Sequence, residues 1–81
     1  MRIHFFGRLG ERIARKVEIA LPGDVTNVAG LRVLLASSYP DAAAELAGTA
    51  SRACVGDQIV SEDHAINSSD IVEFVPPLSG G

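Results

Sequence analysis

The residues with the most chemical potential stand at the end of the sequence, in Pro76-Pro77-Leu78-Ser79-Gly80-Gly81. Two prolines favour a stiff, extended exit with roughly 3 Å of reach per residue in polyproline-like geometry. After Leu78 the side chains shrink to a hydroxymethyl group and then to nothing, so Gly80 and Gly81 suit a channel too narrow for a Cβ. From ordinary residue frequencies, Pro-Pro followed by a terminal Gly-Gly arises by chance about once in 10⁵ sequence ends. The group at the tip is the α-carboxylate of Gly81. A bare carboxylate is a poor acyl donor and must be activated to a mixed anhydride or a thioester-like species. Nothing in this sequence supplies that activation, so the pattern predicts a carrier modified by one partner and presented to another.

Other familiar chemistry finds less support. His4 and His64 are far apart and have no partners at metal-ligand spacing, so no metal site is expected. Cys54 lies in an apolar extended stretch with only Arg52 near it in sequence. A reactive thiolate needs a helix N-terminus or basic neighbours, so a small buried hydrophobe is the expected role. Glu62-Asp63 reads as a solvated turn rather than a general acid and base pair. Gly7 and Gly10 fall in neither a Gly-x-Gly-x-x-Gly nor a Gly-Lys-Ser/Thr pattern, which removes the case for a nucleotide fold.

The elements that must position the tail follow from periodicity. Arg2 to Arg8 reads as a strand with Ile3 and Phe5 on one face and His4 and Phe6 on the other. Val17, Ile19 and Leu21 alternate with polar or small neighbours as a second strand, and Leu9 to Ala14 is short enough for a hairpin-type connection. Pro22-Gly23-Asp24 breaks that strand. Val28, Leu31, Leu34 and Leu35 then recur at helical spacing, with Thr26 as expected N-cap and Tyr39-Pro40 as the stop. Asp41 to Ala47 is expected to form a further short helical segment, capped by Asp41 and stopped by Gly48.

Short extended pieces follow at Arg52 to Val55 and Gln58 to Val60, joined by a Gly56-Asp57 turn. A turn at Ser61 to His64 and a polar loop at Asn67 to Asp70 precede a last strand, Ile71 to Val75. That strand turns Val72 and Phe74 to one face and Ile71, Glu73 and Val75 to the other, and Pro76-Pro77 must end it. This order fits an α+β roll with one helix on one face of a small mixed sheet. The expected division is a domain over residues 1–75 and a tail over 76–81.

Composition narrows the class further. The 81 residues are 47% hydrophobic and 21% charged, with one cysteine and a net charge of −3. This length suits one small core, and one cysteine cannot form an intrachain disulfide, so a reducing compartment is expected. With no apolar run of about 18 residues and no signal-peptide pattern, a cytoplasmic protein is expected. An acidic balance argues against general nucleic-acid binding. The charge is uneven. Residues 1–40 carry six cations, Arg2, Arg8, Arg12, Arg15, Lys16 and Arg32, against Glu11, Glu18 and Asp24, whereas residues 41–81 carry Arg52 alone against seven acids. The acidic half bears the tail and suits docking onto basic partner surfaces.

The strand Asp70-Ile71-Val72-Glu73-Phe74-Val75 running into Pro76-Pro77-Leu78-Ser79-Gly80-Gly81 resembles the end of the small subunit of molybdopterin synthase, the MoaD branch of the MoaD/ThiS sulfur carriers. The likeness takes in Phe5-Phe6, Leu9-x-Glu11, Thr26 and Leu31 at the helix, and Tyr39-Pro40. It implies a ubiquitin-like β-grasp fold. It also implies that Gly81 is adenylated by an E1-like enzyme that consumes ATP, converted to a thiocarboxylate, and inserted into the large synthase subunit. There the sulfur would pass to cyclic pyranopterin monophosphate to build a dithiolene. The implied assembly is a heterotetramer with that large subunit, and the chain itself holds no permanent cofactor and is no enzyme alone. Carried over by position, Pro76, Pro77, Leu78, Ser79 and Gly80 would thread the partner channel, and Phe6, Ile59 and Val75 would form the partner interface, with His4 beside Phe6.

Three positions depart from the family pattern. Leu-Arg-Glu after the first strand reads Leu9-Gly10-Glu11, with Arg8 and Arg12 as possible substitutes for the missing cation. The asparagine common after the third strand is Gly56, and Gly-Asp before the last strand is Ser69-Asp70. Rival readings are a thiazole-type sulfur carrier, a ubiquitin-like modifier of lysines, and an interaction domain with an inert tail. Pro-Pro before the tail favours the molybdopterin branch.

Overall fold

The computed structural model describes residues 1–47 and 51–77. Strand β1 (Arg2–Phe5) leads through a five-residue helix α1 (Arg8–Arg12) to β2 (Lys16–Glu18). The main helix α2 (Val28–Ser38) is followed by a 3-10 turn at Pro40–Ala42 and the short helix α3 (Ala43–Leu46). Strands β3 (Arg52–Val55), β4 (Gln58–Val60) and β5 (Ile71–Val75) complete a five-stranded sheet of order β2-β1-β5-β3-β4. The central pair, β1 and β5, is parallel, and the other pairings are antiparallel. The mixed sheet with one helical layer matches the expected α+β roll.

The two strand faces divide as their period-two pattern predicts. Ile3, Phe5, Val72, Phe74 and Ala53 are buried against Val28, Leu31 and Leu35 of α2, with Leu9 and Leu46 closing the ends. Each large apolar side chain so enclosed contributes roughly 1.5–3 kcal/mol relative to exposure. Phe5 and Phe74 stack across the central parallel pair with ring centroids 5.9 Å apart.

Several local expectations are corrected. Strand β1 ends at Phe5 rather than Arg8, and Leu9 to Ala14 is no simple hairpin link because Arg8–Arg12 is helical. Leu9 is the reason: its burial anchors one face of α1 in the core. The β2 ladder covers Lys16–Glu18, with reciprocal backbone bonds between Met1 and Ile19 extending the pairing one step. Asn27, not Thr26, caps α2, its Oδ1 accepting from the Gly30 N–H at 2.9 Å. Asp41 makes no capping bond, since it lies inside the 3-10 turn that Pro40 starts, and the stop expected at Gly48 lies outside the described residues.

The segment after β4 completes the start of α2. The carbonyls of His64 and Glu62 accept from the N–H groups of Val28 and Ala29, and Ile66 N–H donates to the Thr26 carbonyl. The first-turn amides of α2 are therefore satisfied internally. Gly56 and Asp57 both have positive φ, as a two-residue turn between antiparallel strands requires. Because glycine and asparagine are the residues that most readily take that conformation, the family departure at Gly56 preserves the turn.

Candidate functional site

The tail leaves from the middle of the sheet. β5 is bonded to β1 on one side and β3 on the other, so Val72, Glu73 and Phe74 are paired on both flanks. Val75 pairs with Arg52, and the Phe6 N–H donates to the Phe74 carbonyl at 3.0 Å just past the end of β1. Pro76 has no N–H to continue the ladder. Pro76 and Pro77 are both exposed. Leu78, Ser79, Gly80 and Gly81, expected to thread a partner, lie outside the described residues.

The outer face of the sheet, away from α2, holds the three expected interface residues. Ile59 is 61% exposed on the edge strand β4, Phe6 is 45% exposed just beyond β1, and Val75 is half-buried on β5. Registers place Lys16, His4, Glu73, Cys54 and Ile59 in one continuous row across all five strands. Val75 and Arg52 lie one step nearer the tail. Ile71, as exposed as Phe6, adds an apolar position to this face; its period-two place on the last strand was the available signal for adding it to the interface set.

The polar groups of this face are only partly matched. His4 Nδ1 lies 3.7 Å from Glu73 Oε2, while His4 Nε2 is enclosed without a hydrogen-bond partner among the described residues. Cys54 is half-buried on this outer face, not in the core as expected, because its register opposite Glu73 and Ile59 turns it away from α2. Burial pushes its thiol pKa up, and Glu73 and Asp57 push in the same direction. A thiol held protonated in this way is a poor nucleophile near neutral pH. Among the described residues, no three His, Cys, Asp or Glu side chains cluster closely enough to hold a metal.

The opposite side of the sheet holds a polar group that the sequence pattern did not reveal. Arg32 on α2 is only 6% exposed. Its Nε donates to Glu62 Oε1 at 2.7 Å, Nη1 to the Leu46 carbonyl at 2.6 Å and Ser51 Oγ at 2.8 Å, and Nη2 to the Ser51 carbonyl at 2.8 Å. The guanidinium carbon also sits 5.1 Å from the centre of the Phe74 ring. Glu62 is thus tied to a buried cation rather than standing in a simply solvated turn. Its neighbour Asp63 does face solvent, and the Ser61 hydroxyl lowers its pKa by donating to the carboxylate.

The missing family arginine also acquires a physical context. A Cβ on Gly10 would come 2.9 Å from the Phe5 carbonyl oxygen, so α1 packs against β1 more closely than a side chain at this position permits. Arg12 pairs with Glu45, while Arg8 lines a groove of about 290 Å³ beside Pro76. Of the two possible substitutes, Arg8 is the one placed at the root of the tail. Among the described residues, no helix is long and apolar enough to cross a membrane.

Residues 3–81 match the ThiS family. SAMP1 from Haloferax volcanii superposes with a TM-score of 0.78 at 22% identity, covering 99% of this chain and 97% of that one. A Pyrococcus furiosus chain described as molybdopterin converting factor subunit 1 gives a TM-score of 0.81 at 21% identity, with 95% of both chains covered. A second structure of the Haloferax protein, described as small archaeal modifier protein 1, gives 0.78 at 19% identity and covers 95% of each chain. No curated protein sequence matches. The match across nearly the whole sequence and the shared sheet and helix place the chain in the ThiS family, with the ubiquitin-like β-grasp fold of its carriers and modifiers.

Proposed function

We propose that this protein is a sulfur carrier for molybdenum cofactor biosynthesis, with Gly81 as its reactive terminus. The central observation is the doubly flanked strand β5 running directly into Pro76-Pro77 and the Gly80-Gly81 pair. Such a scaffold holds the root while leaving the chemistry to an arm without side chains at its tip. The Gly81 carboxylate attacks the α-phosphorus of ATP on an E1-like partner, pyrophosphate leaves, and an acyl adenylate forms. A sulfur donor then displaces AMP to give the thiocarboxylate, whose sulfur is the nucleophile delivered inside the large synthase subunit. That subunit supplies the positioning, since the Gly80-Gly81 tip has no side chain with which to orient a substrate. Phe6, Ile59 and Val75, extended by Ile71, form the docking surface for these partners.

A second reading is a ubiquitin-like modifier, in which the same activated carboxyl is transferred to a lysine amine. The resemblance in fold to small archaeal modifier protein 1 favours keeping it. A thiazole-type carrier shares the activation steps, but the Pro76-Pro77 approach favours the molybdopterin branch. Deletion of Gly81 tests the tail-based function. With the far-UV spectrum and thermal transition unchanged, the truncated protein is expected to lose sulfur delivery in a reconstituted synthase assay; full activity would leave the tail inert. A lysine-linked ladder on target proteins, in place of sulfur delivery, would select the modifier.

A further inference from the structure

Gly7 lies between β1 and α1, where the chain leaves the sheet. Its backbone has φ 65° and ψ −140°, a combination adopted readily only by glycine. Gly10 N–H donates back to the Gly7 carbonyl at 3.1 Å, holding Gly7 at the entry to α1. The backbone requirement explains why glycine stands here, but not what lies against it.

The second observation concerns the root of the tail. A Cβ built on Gly7 would lie 3.3 Å from Pro76 Cγ, 3.5 Å from Cδ and 3.7 Å from Cβ. The pyrrolidine ring of Pro76 therefore packs onto the side of Gly7 left open by its missing side chain. Immediately before this contact, Phe6 N–H donates to the Phe74 carbonyl, fixing the two chain segments side by side. The adjoining groove is walled by Phe6, Arg8 and Ser51.

We propose that Gly7 is a positioning residue for the C-terminal tail, serving as the seat on which Pro76 sets the direction of exit. The functional consequence rests on the carrier reading; the seating itself does not. Proline already restricts its own φ, and contact with a fixed turn restricts how the ring can swing relative to the sheet. A tail whose first step is oriented before docking loses less conformational freedom on entering a partner channel.

The test uses Gly7→Ala, Pro76→Gly and the double variant. In a Cys54→Ser background, spin labels at Val33→Cys and Ser79→Cys report the distance from helix to tail by dipolar spectroscopy. Both single changes are expected to shift or broaden that distance distribution, Gly7→Ala by crowding the ring and Pro76→Gly by removing it, and the double variant to add little to Pro76→Gly, because the ring that the new methyl group would displace is gone. Gly10→Ala is the control: it disturbs α1 against Phe5 and lowers thermal stability, yet leaves the distribution unchanged. In unlabelled protein, kcat/KM for pyrophosphate release by the activating enzyme should fall about tenfold or more in Gly7→Ala, as expected for a misdirected reacting group. If Gly7→Ala does not fold, Pro76→Gly carries the test by itself. A distribution unchanged in Pro76→Gly, or in folded Gly7→Ala, would overturn the seating. A changed distribution with unaltered pyrophosphate release would support the seating and overturn its functional consequence, whereas no pyrophosphate release from the unsubstituted protein would contradict the carrier reading.

Discussion

The two faces of the five-stranded sheet use the same strands in opposite ways. On the inner face, Phe74 packs against Phe5 and beneath Arg32, and four hydrogen bonds from three nitrogens hold that guanidinium. On the outer face, Ile59, Phe6 and Ile71 remain exposed, and His4 Nε2 lacks a partner among the described residues. The inner face is closed by contacts within the chain, whereas the outer face has apolar surface and polar capacity left for another molecule. In a carrier this division separates stability from recognition, because changes on the outer face can tune partners without touching the core.

The largest expected effect tests the closed face. Arg32→Met keeps much of the side-chain volume but leaves the Leu46 and Ser51 carbonyls without their donor. Unpaired buried acceptors cost about 1–3 kcal/mol each. We expect a loss of about 3 kcal/mol and a fall in Tm of more than about 10 °C for a domain of this size. A loss below about 1 kcal/mol in urea unfolding would show that the clasp is redundant and that the inner face is held by apolar packing alone.

An intermediate effect, confined to binding, is expected on the open face. Ile59→Asp should change stability by no more than about 0.5 kcal/mol. It should weaken the complex with an activating enzyme or large subunit by about 2 kcal/mol or more in calorimetry, as expected for a docking anchor. A large drop in thermal stability would instead make Ile59 part of the core and erase the contrast between the faces.

How far these faces could be read from sequence depended on whether the deciding information was local. The β3–β4 hairpin was legible because Gly56-Asp57 sits between two short apolar runs, and β5 because Val72 and Phe74 alternate with Ile71, Glu73 and Val75 before two prolines. Helix α1 was missed because a five-residue helix without a side-chain cap leaves little periodic signal; what holds it is the contact of Leu9 with the core. Thr26 and Asn27 are adjacent residues that both cap helices, asparagine being the stronger, and the backbone geometry puts the cap at Asn27. Arg32 stayed hidden for a different reason. Its burial depends on Leu46, Ser51 and Glu62, which the fold brings together from separate segments. In the candidate site, Phe6 was legible from its period-two place after His4 and Ile59 from the family resemblance alone, whereas the contact of Pro76 with Gly7 required the parallel pairing of the first and last strands.

The smallest expected effect concerns Cys54, between the two regimes. Its pKa is raised by burial first and then by Glu73 and Asp57, so the folded chain holds the thiol proton to higher pH than the unfolded chain. Iodoacetamide at pH 8 should therefore alkylate native protein more slowly than protein in urea. The associated stability is fully present below the ordinary thiol value of 9.0 and declines as pH rises through the raised native value. Equal alkylation rates would show that the outer face leaves Cys54 as solvated as an unfolded thiol.

The central claim is that this stable scaffold exists to present Gly81. It is tested most directly by intact-mass measurement after incubation with an E1-like activating enzyme, ATP and a sulfur donor. Conversion of the terminal carboxylate to a thiocarboxylate predicts a gain of about 16 Da, dependent on ATP and absent when Gly81 is deleted. An unchanged mass with an enzyme proven active on another carrier, or a gain that persists without Gly81, would contradict the account.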